Sequence, residues 1–189
     1  MSAYPQIVEM AVAATAIDGL MVITLKQVTD ERGVVREYYR QSSWLAAGLP
    51  DLGPFLQLNV TETVTGGVRG IHAEDMVKVV TVAAGSAFGA YVDLRPDSPA
   101  RGTVVTVDLR PGVQVVVPKG VGNGFQALEP ATQYLYGFSD EWRPGMAGQA
   151  VTPLDPELGI AWPLPIDTAD RSVISVKDLE APTLAQLLS

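Results

Sequence analysis

The chain has 189 residues, of which 47% are apolar, and its 21 acidic and 13 basic side chains give a formal net charge of −8. This acidic balance argues against binding to nucleic acid or to an anionic membrane surface, since both attract clustered lysine and arginine. The chain has no cysteine and a single histidine, His72, which excludes a thiolate metal site and a site built on several imidazoles of one chain.

Residues 10–20 form an alanine-rich apolar run that resembles the core of a signal peptide. The run lacks a basic region before it, because the first cationic residue is Lys26, and Glu9 and Asp18 add acidic charge. No stretch reaches the roughly 18 uninterrupted apolar residues of a membrane-spanning helix. We therefore expect a cytoplasmic protein without a membrane segment, which the lack of cysteine also fits.

Most of the chain is predicted to form short strands separated by glycine, proline and aspartate. In chain order the pattern predicts strands at residues 21–25, 34–39, 55–63, 68–72, 77–83, 88–94, 103–109, 113–117, 124–128 and 133–138. A short helix is predicted at residues 41–47 and another from Thr183, with a looser, proline-rich segment between the last strand and that helix. A strand about every ten residues is typical of an antiparallel sandwich or barrel, so we expect one all-β domain over residues 1–189.

His72 is the candidate general base or acid of any enzyme built on this chain. No other type of side chain ordinarily changes its charge near neutral pH. The residue alone leaves a second interpretation open, in which a histidine close to Gly70 is simply a hydrogen-bonded core or turn residue.

Eight short motifs follow one another in an order that is characteristic as a set. They are DERG at 30–33, QLN at 57–59, VRGIH at 68–72, VDLRPDSP at 92–99, PKGVGNGF at 118–125, YLY at 134–136, IAWP at 160–163 and SVKD at 175–178. Over residues 27–187 this series resembles the dTDP-4-dehydrorhamnose 3,5-epimerase family. The resemblance implies a cupin-type jelly roll, also called a double-stranded β-helix, with short peripheral helices.

The resemblance also implies an isomerase without a cofactor. Its substrate would be a dTDP-4-keto-6-deoxyhexose, in which the C4 ketone acidifies the protons at C3 and C5. The family's base falls on His72 and its partner carboxylate on Asp178, which would orient the imidazole. Its enolate-stabilising lysine falls on Lys78 and its acid on Tyr136.

Each of these residues also has a structural interpretation when it is considered singly. Asp178 can cap the terminal helix or pair with Lys177, and Lys78 at the start of a strand can face solvent. Tyr136 lies in an aromatic strand, where tyrosine is more often a core residue.

Further residues match the family's binding positions. By the resemblance, Arg69 contacts the diphosphate with paired hydrogen bonds. Arg32 and Glu37 help to bind the nucleotide, by family precedent across the interface of a homodimer. Gln57 and Asn59, two apart on one side of a strand, line the substrate pocket. Without the resemblance, Arg32 can be interpreted as an ordinary charged residue of a turn, and Glu37 as a residue on the solvent-exposed face of a strand.

The sequence departs from the family pattern at several pocket positions. Asn123 replaces a histidine that borders the diphosphate and sugar, and Gly89 replaces an acidic residue. Trp142 stands where a pocket tyrosine is common. Val28 and Val35 replace the aromatic residues that flank the DERG motif, which weakens the expected stacking on thymine, and the segment between His72 and Lys78 is short and acidic.

The leading hypothesis is a nucleotide-sugar epimerase acting at C3, C5 or both, with no metal and with a dTDP-sugar as its small-molecule partner. A 3,4-ketoisomerase is a second possibility, because related jelly rolls move the same C3 proton. A third is a non-catalytic sugar-nucleotide-binding jelly roll, which a pocket with Tyr136 or Lys78 turned away from His72 would favour.

Overall fold

The computed structural model describes residues 5–188, and its regular structure is almost entirely antiparallel β-sheet. The strands are β1 (Gln6–Val8), β2 (Ala11–Ala14), β3 (Met21–Thr24), β4 (Lys26–Asp30), β5 (Gly33–Glu37), β6 (Gln57–Thr63), β7 (Val68–Glu74), β8 (Lys78–Ala84), β9 (Ala87–Asp93), β10 (Val104–Leu109), β11 (Val113–Val117), β12 (Val121–Ala127), β13 (Thr132–Phe138) and β14 (Gly148–Ala150). The helices are α1 (Gln41–Ala46), α2 (Val176–Leu179), α3 (Leu184–Leu188) and a 3₁₀ turn, Pro156–Leu158. The prediction of an all-β jelly roll with short peripheral helices is confirmed.

Two large sheets and one small sheet contain all the strands of the described residues. The six-stranded sheet has the order β2-β3-β11-β8-β13-β6, and the five-stranded sheet has the order β10-β9-β12-β7-β14. Strands that follow one another in sequence repeatedly fall in opposite sheets, which is the connectivity of a jelly roll. The small sheet, β1-β4-β5, stands apart from both.

The core lies between the two large sheets, where apolar faces of both meet. Val80 and Tyr134 of the six-stranded sheet pack in one cluster with Tyr91 and Phe125 of the five-stranded sheet. The central strand β8 supplies β-branched side chains that suit a pleated, buried surface. The largest of the three buried apolar clusters in the described residues therefore joins the two large sheets.

Strand β6, at the edge of the six-stranded sheet, inverts the usual alternation of an amphipathic strand. Two of its three outward side chains are apolar, with Leu58 63% and Val60 53% exposed, and the third is Glu62, whereas Gln57 and Asn59 are half-buried. Side chains of a strand alternate between its two faces, so the polar residues of β6 share the inner face. The edge strand thus presents polar groups to the interior and an apolar row to the outside.

Four strands of the structure were not predicted from the sequence: β1, β2, β4 and β14. Strands β1 and β2 fall in or beside the alanine-rich N-terminal run, and β14 has only three residues. These three strands therefore carry no clear alternation of apolar and polar side chains. Within residues 5–188, none of the helices has the length and apolar character needed to cross a membrane.

Candidate active site

A cavity of about 510 Å³ opens between the two large sheets. Strands β7 and β12 line it from the five-stranded sheet, and β6, β8 and β13 line it from the six-stranded sheet. The segment 142–150 and part of α2 complete its wall. The cavity brings together His72, Lys78, Tyr136, Arg69, Asn59, Asn123 and Trp142, all of which the sequence predicted as site residues.

His72 lies on β7 and forms a hydrogen bond with Asp178, with 2.7 Å between Nε2 and Oδ1. The two residues are 106 positions apart in the chain and meet because the C-terminal segment returns to β7. The N–H of Val68 donates to the Val173 carbonyl at 2.7 Å, and Val68 forms a parallel bridge with Ile174. Helix α2 begins immediately afterwards, and its cap, the Ser175 hydroxyl, accepts from the N–H of Asp178 at 3.1 Å.

The pKa of Asp178 is lowered from its ordinary value. Burial acts to raise this pKa, but hydrogen bonding and charge attraction from His72 outweigh burial, with help from Ser175 and the Gly70 N–H. Asp178 is therefore a carboxylate at neutral pH and can only accept hydrogen bonds. Its partner Nε2 must carry the proton, which leaves Nδ1 of a neutral His72 as the nitrogen that can take up a proton.

The backbone before His72 is fixed by a glycine at a close strand contact. Gly70 has φ +101°, and a Cβ there would lie 2.6 Å from both the Asn123 carbonyl oxygen and the Cα of Gly124. Only glycine adopts this conformation and approach without strain. The peptide bond between Gly70 and Ile71 is cis, and the register of β7 with β12 shifts beside it, between Asn123 and Phe125.

Lys78 projects from the start of β8 into the interior and is only 3% exposed. The alternative in which this lysine faces solvent is therefore wrong. Its ammonium donates to the His72 carbonyl oxygen at 2.9 Å and to the Glu74 carboxylate. Burial lowers the pKa of Lys78, and the charge and hydrogen bond of Glu74 act in the opposite direction.

Tyr136 lies on β13, in the sheet opposite His72, and is half-buried at the cavity wall. Its ring packs edge-on against Phe138, with 5.3 Å between ring centres. It therefore contacts the core and also lines the cavity. The cavity floor is formed by Tyr134 stacked on Phe125, with 3.9 Å between ring centres and 4° between their planes.

Two of the departures from the family pattern, Asn123 and Gly89, lie beside Tyr91. Asn123 stands opposite Tyr91 in the pairing of β12 with β9. A Cβ on Gly89 would lie 2.9 Å from the Tyr91 hydroxyl oxygen, so this tyrosine fills space that a larger residue at position 89 would need. Burial raises the pKa of both Tyr91 and Tyr134 above the ordinary tyrosine value, so neither phenol approaches ionisation at neutral pH.

Among the predicted binding residues of the first half of the chain, Asn59 of β6 and Arg69 of β7 line the cavity, whereas Gln57, Arg32 and Glu37 do not. Gln57 donates through Nε2 to Asn59 Oδ1 at 3.2 Å and accepts the Trp142 N–H at 2.7 Å, which ties the edge strand to the loop above it. Arg69 is exposed at the cavity wall and donates through Nε to Thr63 Oγ1 at 3.2 Å. Its guanidinium nitrogens other than Nε are available to an anion.

Arg32 and Glu37 stand outside this cavity, on the small sheet. Arg32 follows β4, its side chain is 90% exposed, and it pairs with Asp30 at 2.6 Å. Glu37 ends β5 and accepts a hydrogen bond from Arg40 Nε at 2.7 Å. One chain alone does not assemble these two residues with His72.

Several cavity residues were not assigned a role from the sequence: Glu74, Arg143, Gln149 and Lys177. Arg143 and Gln149 lie in the loop before and within β14, a segment without any periodic pattern. The sequence also did not predict the positive charge of the cavity. The lining contains one carboxylate, that of Glu74, and four cationic side chains: Arg69, Lys78, Arg143 and Lys177. A protein of net charge −8 thus contains a cavity suited to an anion.

Comparison with known proteins gives a consistent result. The family model described as dTDP-4-dehydrorhamnose 3,5-epimerase matches residues 14–186. A dTDP-4-dehydro-6-deoxyglucose 3-epimerase of Streptomyces bikiniensis is 33% identical over 163 residues, covering 83% of this chain and 80% of that protein. A dTDP-4-dehydrorhamnose 3,5-epimerase of Salmonella typhimurium is 30% identical over 185 residues, covering 95% and 98% of the two chains.

Solved structures of such enzymes superpose closely on the chain. A dTDP-6-deoxy-D-glucose-3,5-epimerase from Legionella pneumophila, in complex with dTDP-4-keto-L-rhamnose, has a TM-score of 0.82 and 33% identity, covering 95% of this chain and 97% of that one. A 4-keto-6-deoxy sugar epimerase from the novobiocin biosynthetic gene cluster of Streptomyces spheroides has a TM-score of 0.85 and 33% identity, with coverage of 98% and 93%.

Proposed function

Because the chain belongs to the dTDP-4-dehydrorhamnose 3,5-epimerase family, we propose that it epimerises a dTDP-4-keto-6-deoxyhexose at C3, C5 or both. The observation that carries this proposal is the placement of His72 and Tyr136 on opposite sheets of one cavity. Inversion at carbon requires a proton to leave one face of the sugar ring and another to arrive at the opposite face. A base and an acid that face each other across a cavity suit this requirement.

The reaction begins with proton removal by His72. Nδ1 of the imidazole takes the proton from the carbon beside the C4 ketone, and the electron pair of the broken C–H bond moves to the C4 oxygen as an enolate. Asp178 stabilises the imidazolium that forms, since its carboxylate lies 2.7 Å from Nε2. The ammonium of Lys78 stabilises the negative charge that develops on the C4 oxygen.

The reaction ends with proton delivery by Tyr136. Its phenolic O–H protonates the enolate carbon from the opposite face and the C4 ketone re-forms. The tyrosine then recovers a proton from solvent and the His72 imidazolium releases one to solvent, which restores both residues. One proton leaves and one arrives, so the sequence involves no net oxidation. The diphosphate of the substrate is held by Arg69, with Arg143 and Lys177 contributing further positive charge.

Replacing His72 by alanine tests the assignment of the base. We expect turnover of dTDP-4-keto-6-deoxyglucose to be lost while dTDP affinity, measured by titration calorimetry, stays within about tenfold, because His72 acts mainly in the transition state. Arg69→Ala is the complementary variant and should weaken dTDP binding more than His72→Ala does. Unchanged turnover in His72→Ala would reject the mechanism.

We further propose that the protein acts in the cytoplasm, whose reducing conditions suit a chain without cysteine, and that it is a homodimer. The support is the apolar outer row of β6, Leu58 and Val60, and the exposed Val35 on β5, which is 73% accessible. An unpaired edge strand with apolar side chains is a surface that proteins usually cover. Arg32 and Glu37 do not line the cavity of their own chain, and a second copy would give them a substrate to contact.

Light scattering tests the dimer. We expect the mass of two chains for the wild type and a shift towards monomer in Leu58→Glu, whereas the same change at Val176, exposed on α2, serves as the control. A clean monomer for the wild-type protein would contradict the proposal.

A further inference from the structure

Lys78 is an ammonium group in an interior that offers it very little water. Its side chain is 4% exposed, and its neighbours across the sheet are Val117 on β11 and Phe138 on β13, both buried and apolar. Burial of this kind favours the neutral amine over the ammonium. A lysine meant to stabilise an enolate needs the opposite, because only the ammonium carries the charge.

Glu74 is the carboxylate that meets this lysine. It ends β7, four residues before Lys78, and the short turn 75–77 brings the two side chains into an ion pair. The Glu74 main chain is held in place because its carbonyl accepts the Gly120 N–H at 3.2 Å. The ammonium also donates to the His72 carbonyl oxygen, so the same pair of contacts connects Lys78 to the strand of the base.

The other charged groups around the cavity do not replace Glu74. None of the other cationic or titratable side chains that line the cavity is a carboxylate: His72 and Arg69 on β7, Arg143 in the loop before β14, and Lys177 on α2. The Tyr136 phenol on β13 is polar and half-buried. Asp178 is engaged by His72. Within residues 5–188, Glu74 is the one carboxylate that forms an ion pair with Lys78.

We propose that Glu74 is a positioning residue that keeps Lys78 protonated and directed into the cavity, and thereby sets the upper pH limit of turnover. This inference rests on the proposed function for its catalytic consequence, but the charge state of Lys78 can be measured without it. Without the Glu74 charge, the His72 carbonyl oxygen is the remaining hydrogen-bond partner of the buried ammonium, and Lys78 should give up its proton at lower pH.

The first measurement follows the lysine directly. The chain has four lysines, at positions 26, 78, 119 and 177, so protein labelled with 13C at lysine Cε gives a spectrum with few signals, and Lys78→Met assigns the one of interest. In Glu74→Gln we expect the Lys78 signal to titrate about one pH unit or more below its wild-type position, the usual effect of one close opposite charge. Glu74→Asp, which keeps the charge on a shorter side chain, should fall between the two and serves if Glu74→Gln does not fold.

The matched control is Asp75→Asn. Asp75 is the next residue, its side chain is 69% exposed, and it pairs with Lys119 on the surface instead of Lys78. The same unit of negative charge is removed from the same turn, and the titration of Lys78 should not move. A Lys78 signal that titrates identically in Glu74→Gln, Glu74→Asp and the wild type would overturn the proposal.

The second measurement is the pH dependence of kcat. In Glu74→Gln the loss of activity at high pH should begin at lower pH, in step with the Lys78 signal, while dTDP affinity stays unchanged. A purely structural role would lower kcat at every pH without moving this limit, and that result would also overturn the proposal. If the wild type had no epimerase activity, the proposed function would fail while the NMR titration still decided the role of Glu74.

Discussion

Replacing Asp178 by asparagine keeps the size of the side chain behind His72 and removes its charge. In the wild type, the carboxylate lies 2.7 Å from Nε2, and the side chains of Asp178 and His72 are 7% and 33% exposed, so solvent screens the contact only from the His72 side. The partner of Asp178 gains a full positive charge when His72 takes a proton from the substrate. The variant should therefore destabilise the transition state more than the bound substrate.

A hydrogen bond to a charged group contributes about 1.5–3 kcal/mol. Since about 1.4 kcal/mol corresponds to a tenfold change in rate, we expect kcat to fall between roughly 10-fold and 150-fold with little change in dTDP affinity. The asparagine amide can also donate to Nε2 and place the ring proton on Nδ1, which would take away the base and enlarge the loss. Turnover of the 4-keto sugar nucleotide, followed by NMR, measures the effect.

The matched control is Asp170→Asn on the same C-terminal segment. Within residues 5–188, the hydrogen bonds of the exposed Asp170 carboxylate come from the N–H and hydroxyl of Ser172, so turnover should stay within about twofold. An Asp178→Asn variant with wild-type kcat would refute the reasoning that the carboxylate stabilises a protonated His72.

Three further predictions concern the acid, the fold and the absence of a metal. Tyr136→Phe should abolish epimerised product while dTDP still binds, as observed by product NMR and calorimetry, and normal product formation would exclude Tyr136 as the acid. Gly70→Ala should lower the free energy of unfolding in urea by about 2–4 kcal/mol, since it adds a backbone clash to positive-φ strain. The comparison is Gly66→Ala, at φ +82° with no atom near the added Cβ, which should cost less. Activity should survive treatment with EDTA, because one histidine and no cysteine leave no imidazole cluster or thiolate in one chain, and rescue by added metal would contradict this.

Stability should also fall in acid, for a reason visible in two aspartates. Burial acts to raise the pKa of Asp93, but hydrogen bonds from Arg95 and Ser98 outweigh it and lower this pKa, as His72 does for Asp178. A carboxyl whose pKa is lower in the folded state stabilises the fold above its ordinary pKa near 4, and that contribution is lost as the pH falls through the lowered value. The free energy of unfolding is measured between pH 6 and pH 2, roughly two units on each side of the ordinary pKa near 4. It should fall with pH in the wild type and fall less in Asp93→Asn.

Much of the jelly roll was predictable because its inner strands carry the alternation and β-branched residues of a half-buried sheet. The ends of β7, β8, β11 and β13 lie within about two residues of their predicted positions. Strand β12 begins three residues before its predicted start, in a segment whose glycines are typical of the turns between strands. In the structure a Cβ at Gly122 would lie 2.6 Å from Cγ2 of Ile71, so this glycine permits strands to pack closely and does not turn the chain.

The candidate site was predictable only through the resemblance to a family. No local pattern connects His72 to Asp178 across 106 residues, because their contact depends on how the C-terminal segment docks on β7. Glu74 was visible as an acidic residue, but its role follows from the turn that places it beside Lys78. The cationic residues of the 142–150 loop and α2 could not be predicted either, because only the tertiary structure brings them to the cavity.

The central claim is that the protein makes an enolate of a 4-keto sugar nucleotide with His72 as the base. The most direct measurement is NMR of dTDP-4-keto-6-deoxyglucose incubated in deuterated water with wild-type protein and with His72→Ala. We predict deuterium at C3, C5 or both for the wild type, with inverted configuration at the labelled carbon, and none above background for the variant. A carbonyl moved to C3 would instead indicate a ketoisomerase. Tight binding without any exchange in the wild type would contradict the account and leave a non-catalytic sugar-nucleotide-binding protein.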